Sequence, residues 1–299
     1  MKRAIPFLAV LIGWSVAARA DDIQSNLVYG QAEGQELRLD AGVPAGPGPF
    51  AGAILVHGGG WTSGDKRVNF APLFDPLSRA GIAWFSINYR LAPQFRYPAC
   101  LDDVQTAIRW VTEHAAEFHV DAARIALVGE SSGGQLVEMA ALRAGSDIHL
   151  AAVVPFYAPC DLVAEMQKRG NLGQSMVALF GRPQFDAEMG GLMHDASPLH
   201  FVHPGLPPFL LVHGTSDRVV PYEQSVQFQA ALRAAGVVCD LVTIANGLHS
   251  MGNWSRIAPN YEDEVVRWLA RVLHASPHGP ALANIVARSG PGSTLPRRQ

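Results

Sequence analysis

The chain has 299 residues, 48% of them apolar and 16% charged, enough to bury one large core and inconsistent with a disordered protein. A formal net charge of -3 and a pI near 6.4 give no basic field for nucleic acid or an anionic membrane surface. Cys100, Cys160 and Cys239 stand far apart without neighbouring His or Cys, so no metal site is expected; one disulfide is allowed but not demanded.

The first twenty residues, MKRAIPFLAVLIGWSVAARA, place Lys2 and Arg3 before an apolar run and end in Ala18-Arg19-Ala20. That is the order of a secretory signal peptide cleaved after Ala20, which predicts a secreted or periplasmic protein. The run from Ala4 to about Val16 is shorter than the ~20 residues a bilayer requires and contains Pro6, so no membrane span is expected once the peptide is removed. Residues 21–275 read as one domain. Residues 276–299, rich in Pro, Gly, Ser and Arg without apolar periodicity, read as a disordered tail.

Within the domain, short β-rich runs with few charges lie at 52–58, 81–90, 124–129, 150–158 and 207–214, with a sixth candidate at 239–246. Runs of that kind suit strands buried on both faces of a parallel sheet. Helical stretches at 100–118, 134–144, 222–236 and 260–275 fill the gaps. This alternation predicts a mostly parallel, doubly wound α/β sheet with helices on both faces. One long excursion, about 159–207, has no clear strand and reads as a small cap over the site.

Ligands of such sheets sit beyond the carboxyl ends of the strands, so the residues after each strand are the ones to weigh. After 124–129 comes Gly129-Glu130-Ser131-Ser132-Gly133. The G-x-S-x-G pattern between a buried strand and a small-residue helix start fits a nucleophile elbow, and only Ser131 has glycines two residues away on both sides. The simpler role for Ser131 is an N-cap of the following helix. A serine hydroxyl needs a base. His249 follows the last strand and Asp217 the one before it, so the order Ser131, Asp217, His249 is the one this elbow requires. His57 and His213 also end strands but run straight into glycine, and they read as structural. Asp240 and Asp161 are rival acids, the first at the wrong edge of the sheet. His57-Gly58-Gly59-Gly60-Trp61 offers unobstructed backbone N–H groups for an oxyanion, with the Ser132 N–H as a further donor. A Walker-type phosphate loop would need Lys where Trp61 stands.

Together LVHGGGW, INYRLAP, YPACLDDVQTAIRWV, VDAARIALVGESSGGQL, ASPLHFV, PPFLLVHGTSDRVVP and His249 resemble an α/β-hydrolase-fold esterase. The similarity is to the hormone-sensitive-lipase-like esterases and, among them, the compact feruloyl and acetyl-xylan type, over about Ala51 to Ala275. The resemblance implies Ser131 as nucleophile with Asp217 and His249 as partners, and Gly59, Gly60 and Ser132 as oxyanion hole, with Trp61 possible in place of Gly59. Many members have Ala at the position of Ser132, a change to which a backbone donor is indifferent. The segment before the first core strand is too short for the two-helix cap of the lipase-like branch.

The expected reaction is hydrolysis of small-molecule or carbohydrate-linked carboxylic esters through an acyl-enzyme, with no metal or organic cofactor. Trp61 and Tyr157 are weak candidates for substrate contact. An arylformamidase-like amidase shares HGG-W and the elbow and is the main alternative. A peptidase of the prolyl-oligopeptidase kind would need a propeller domain. A non-catalytic binding protein of this fold would need none of the three residues.

Overall fold

The computed structural model describes residues 22–68 and 70–274. The expected signal peptide and C-terminal tail therefore lie outside the described residues. In chain order the strands are β1 (Asp22–Ala32), β2 (Gln35–Val43), β3 (Phe50–Val56), β4 (Ile82–Ile87), β5 (Val120–Glu130), β6 (Ala152–Phe156), β7 (Phe209–Gly214) and β8 (Cys239–Ile244). They form one sheet in the order β1-β2-β4-β3-β5-β6-β7-β8. From β4 onward the pairings are parallel, while β1 on β2 and β2 on β4 are antiparallel.

Each of the six expected strands is present, and the central ones are buried on both faces. Ile54, Val56, Ile125, Leu127, Val153 and Leu211 face one core; Ala53, Leu55, Ala126, Val128, Val154 and Leu210 face the other. The first core is closed by α2 (Ala99–Glu113), α3 (Ser132–Leu142) and α7 (Glu223–Ala234). The second is closed by α1 (Ala71–Arg79) and α9 (Tyr261–His274), where Tyr261, Val265, Leu269 and Val272 make a helical stripe. Three short helices fill the 159–207 excursion: α4 (Leu162–Arg169), α5 (Gln174–Phe180) and α6 (Ala187–Asp195). A further four-residue helix, α8 (Trp254–Ile257), follows β8. No helix among the described residues is long and apolar enough to cross a membrane.

The β1–β2 hairpin is an addition to the six expected strands. Leu37, Leu39, Ala41 and Val43 alternate along β2 into one core, the period-2 signal of a strand, and Asp40 and Gly42 on its other face are buried as well. The INYRLAP and LDD segments of the sequence meet in a buried ion pair: the Arg90 Nη2 donates to Asp103 at 2.7 Å and its Nε at 2.9 Å, fixing the loop after β4 to α2. All three cysteines are buried free thiols.

Every residue of α3 is buried, including Glu138, whose Oε2 has no hydrogen-bond partner among the described residues. Burial alone drives its carboxyl well above the usual carboxylate range. Because the folded form holds this proton more tightly than the unfolded chain, its contribution is fully favourable below about pH 4.3 and is lost as pH rises toward the folded value. Glu138→Gln should therefore raise stability at pH 8 by roughly 1–3 kcal/mol and flatten its decline between pH 5 and 8, read from urea unfolding midpoints.

Candidate active site

The polypeptide leaves β5 at Glu130 and enters α3 at Ser132, so the whole reversal falls on Ser131. Its backbone takes φ 54°, ψ -121°, a strained conformation for a residue with a side chain. Glycines permit the turn by their lack of a Cβ. A Cβ on Gly133 would lie 2.1 Å from the Val56 carbonyl oxygen, and one on Gly129 would lie 2.3 Å from that of Gly133. The start of α3 thus presses directly on the end of β3. The Ser131 N–H donates to the Phe156 carbonyl at 2.9 Å, fastening the turn to β6 as well.

Ser131 makes no side-chain cap to its helix. Its Oγ instead lies 2.9 Å from His249 Nε2. The other ring nitrogen, Nδ1, is 2.7 Å from Asp217 Oδ2. A carboxylate only accepts, so Nδ1 carries the hydrogen and Nε2 turns a lone pair toward the serine hydroxyl. Asp217 is closed to solvent at its side chain, with Oδ1 accepting from the Val219 N–H (2.8 Å) and the Val220 N–H (2.9 Å). Burial pushes its carboxyl up, but the hydrogen bonds from His213 and His249, the pull of His249 and that of the Val219 N–H prevail. The result is a carboxylate held well below its usual range. The three side chains come from the ends of β5, β7 and β8, as the sequence order suggested.

The glycine loop after β3 lies beside the elbow because β3 and β5 are paired, Val56 opposite Gly129. Gly59 and Gly60 have φ of 113° and 61°, which glycine adopts without strain, and Trp61 follows at φ 60°, a left-handed conformation uncommon for a residue with a side chain. The Gly58 N–H is already committed, donating to Glu130 Oε1 at 2.6 Å. Those of Gly59, Gly60 and Ser132 have no acceptor among the described residues.

Trp61 and Tyr157 are buried, at 5% and 1% exposure, and their polar atoms are used internally. The Trp61 indole donates to Gln135 Oε1 at 3.0 Å, and Gln135 Nε2 donates to the Ala196 carbonyl at 2.7 Å. The Tyr157 hydroxyl donates to Glu130 Oε2 at 2.7 Å while its ring edge meets the His249 ring at 4.7 Å. Both residues frame the site more than they open onto it.

The rivals have other duties. His57 is buried, stacked on Tyr89 at 4.4 Å, with Nδ1 2.7 Å from the Gly58 carbonyl. Burial lowers its pKa, against weaker opposing pulls from Gly58 and Glu130. Asp161 caps α4 by accepting from the Ala164 N–H, and Asp240 accepts from the Trp268 indole on the far edge. Sequence reasoning passed over Glu130, Gln135 and Glu165. Glu165, on α4, is buried with Oε2 lacking a hydrogen-bond partner among the described residues and Oε1 accepting from Arg169 at 2.6 Å. Burial pushes its carboxyl up to about 7, with Arg169 and His249 pulling it down and Asp217 raising it. It brings a group that titrates near neutrality into the field of His249. A glutamate on the mid-face of an amphipathic cap helix gives no signal of that in sequence.

An eight-stranded, mostly parallel sheet with helices on both faces and a strained strand-to-helix elbow is the α/β-hydrolase fold. The BD-FAE family model matches residues 39–232, and the chain belongs to that family, carrying the hydrolase domain of carboxylic ester hydrolases. Esterase LipQ of Mycobacterium tuberculosis is 30% identical over 90% of this chain and 67% of its own length. Across three mycobacterial esterases the chain spans 50–67% of the relative's length. Among solved structures, a truncated carbohydrate esterase from gut microbiota superposes with a TM-score of 0.74 at 25% identity, covering 86% of this chain and 98% of that one. A thermophilic esterase from Thermogutta terrifontis gives 0.69 at 25% identity, covering 87% and 95%.

The contact between α3 and β3 leaves no room for a methyl group. Gly133→Ala should cost more than about 3 kcal/mol or prevent folding, whereas Gly170→Ala, at the exposed end of α4, should cost only the strain of its left-handed backbone, about 1 kcal/mol. Thermal unfolding of the two variants checks the contrast.

Proposed function

We propose that the chain is a serine esterase that hydrolyses carboxylic esters through a covalent acyl-enzyme. The observation that carries this is the unbroken hydrogen-bond chain from Ser131 Oγ through His249 to Asp217. In the reading it supports, His249 Nε2 takes the Ser131 proton as Oγ attacks the ester carbonyl, and Asp217 orients the ring and stabilises the imidazolium. The developing oxyanion is received by the N–H groups of Gly59, Gly60 and Ser132, a reading supported by their having no acceptor among the described residues. His249 then protonates the leaving alcohol, and water reverses the sequence to release the acid.

The likeness to a protein named a carbohydrate esterase supports a carbohydrate-linked alcohol, and that to a protein named an ethyl acetate hydrolase supports a short-chain or acetyl group, with feruloyl the bulkier alternative. The basic, apolar, A-x-A order of residues 1–20 supports export, with the mature chain beginning at Asp21.

Ser131→Ala should lower kcat/KM on p-nitrophenyl acetate at least about a thousandfold, while Ser132→Ala should stay within about threefold of the parent. A fluorophosphonate probe should label Ser131 and no other serine, as read by peptide mass. Absence of label on Ser131 in folded protein would remove the enzyme reading. Rates across p-nitrophenyl esters of increasing chain length, methyl ferulate, acetylated xylan and an N-formyl anilide should favour the short and carbohydrate-linked esters; a preference for the anilide would favour the amidase alternative.

A further inference from the structure

His213 has no part in the chemistry above, yet it is buried completely and touches the same carboxylate oxygen as His249. We propose that His213 is a positioning residue of the hydrolytic site, bracing the same Asp217 Oδ2 that His249 meets; this rests on the Ser131–His249–Asp217 reading.

The geometry fixes its protonation. Nε2 of His213 lies 3.0 Å from the Val220 carbonyl oxygen and 3.2 Å from Asp217 Oδ2. Both are acceptors, so Nε2 carries the hydrogen and shares it between them. Nδ1 is 2.7 Å from Ser225 Oγ on α7. The ring is thus held as an Nε2 donor by partners on both sides. Edge contact with Tyr222 at 5.7 Å closes the remaining face.

Two consequences follow for Asp217. Its Oδ2 is gripped between two imidazoles, and its Oδ1 between two backbone N–H groups, so the carboxylate cannot rotate away from His249. The second imidazole also spreads the negative charge that His249 sees. The β7 strand ends in His213-Gly214, and the loop bends back so that Asp217, four residues on, meets the ring it followed. Gly214 lets the end of β7 lie against the loop after β8: a Cβ there would lie 2.3 Å from the Gly247 carbonyl oxygen.

The other titratable and charged groups facing this cluster are Glu165 with Arg169 on α4, Glu223 on α7 paired with Lys168, Tyr157 after β6, and Ser131 at the elbow. Of these, Glu165 titrates near neutrality, so the pH measurements are repeated in a Glu165→Gln background.

The test compares His213→Leu, which has no donor, with His213→Gln, whose amide keeps one near the ring nitrogen, in the full-length chain acting on p-nitrophenyl acetate. His213→Leu should lower kcat roughly tenfold with KM little changed. It should also move the acid-side fall of kcat/KM to higher pH by about half a unit, because a less shared Asp217 charge favours protonated His249. His213→Gln should recover most of both. A folded His213→Leu with parental kcat and acid limb, or a His213→Gln no better than Leu, overturns the proposal. Should the Leu variant fail to fold, 15N-histidine NMR of the unmutated protein decides: the His213 ring should carry a proton on Nε2, and a ring protonated on Nδ1 alone refutes the brace. Failure of the underlying reading looks different, since Ser131→Ala would then retain turnover.

Discussion

Everything at this site depends on how closely α3 approaches β3. The elbow brings Ser131 above the sheet only because Gly133 allows the first turn of α3 to lie against the Val56 carbonyl, and Gly129 allows strand and helix to fold on one another. That approach places the glycine loop after β3 next to the serine. The strained backbone of Ser131 is held by the Phe156 carbonyl on one side and the body of α3 on the other. A buried helix packed all round resists relaxation, which is how a φ of 54° is maintained at a serine.

Around this pinch the polar groups form two linked sets. One runs Ser131, His249, Asp217, His213, Ser225, crossing from the elbow to α7. The other starts at Glu130, the residue beside the serine, whose two oxygens take the Gly58 N–H and the Tyr157 hydroxyl. Tyr157 lays its ring edge on His249, so the two sets meet at the imidazole. Glu130 thus explains why the variable position of G-x-S-x-G is occupied here by a long acidic residue: it ties the glycine loop to β6.

Much of this was legible in the sequence. Buried parallel strands advertise themselves by apolar runs, and the residues that follow them fall at one edge of the sheet. Ser131, Asp217 and His249 could therefore be named as candidates from the G-x-S-x-G pattern and chain order together, with His57, His213, Asp161 and Asp240 as rivals. The excursion at 159–207 was visible as an absence of strand, but α4, α5 and α6 were not, because they are short and stabilised by packing on the body. The β1–β2 hairpin escaped because β1 is largely exposed; the alternation in β2 was readable and points the same way. Glu165, Gln135 and the contact of His213 with Asp217 depend on long-range placement that no local pattern encodes. His213 read as structural from its position before a glycine, and its ring is indeed fully enclosed.

Gln135 joins Trp61 of the glycine loop to the carbonyl of Ala196 at the end of α6, through one side chain on the elbow helix. The excursion is therefore not a detachable module. Recombining this body with an excursion of different length or helix count would preserve the alignment of the glycine loop only if the donated segment delivered a backbone carbonyl to the same amide. The excursion is anchored to the body elsewhere too, by the Tyr97 N–H on the Leu179 carbonyl and by Gln224 Oε1 on the Cys160 and Asp161 N–H groups, so its exchange is a matter of matching several anchors at once.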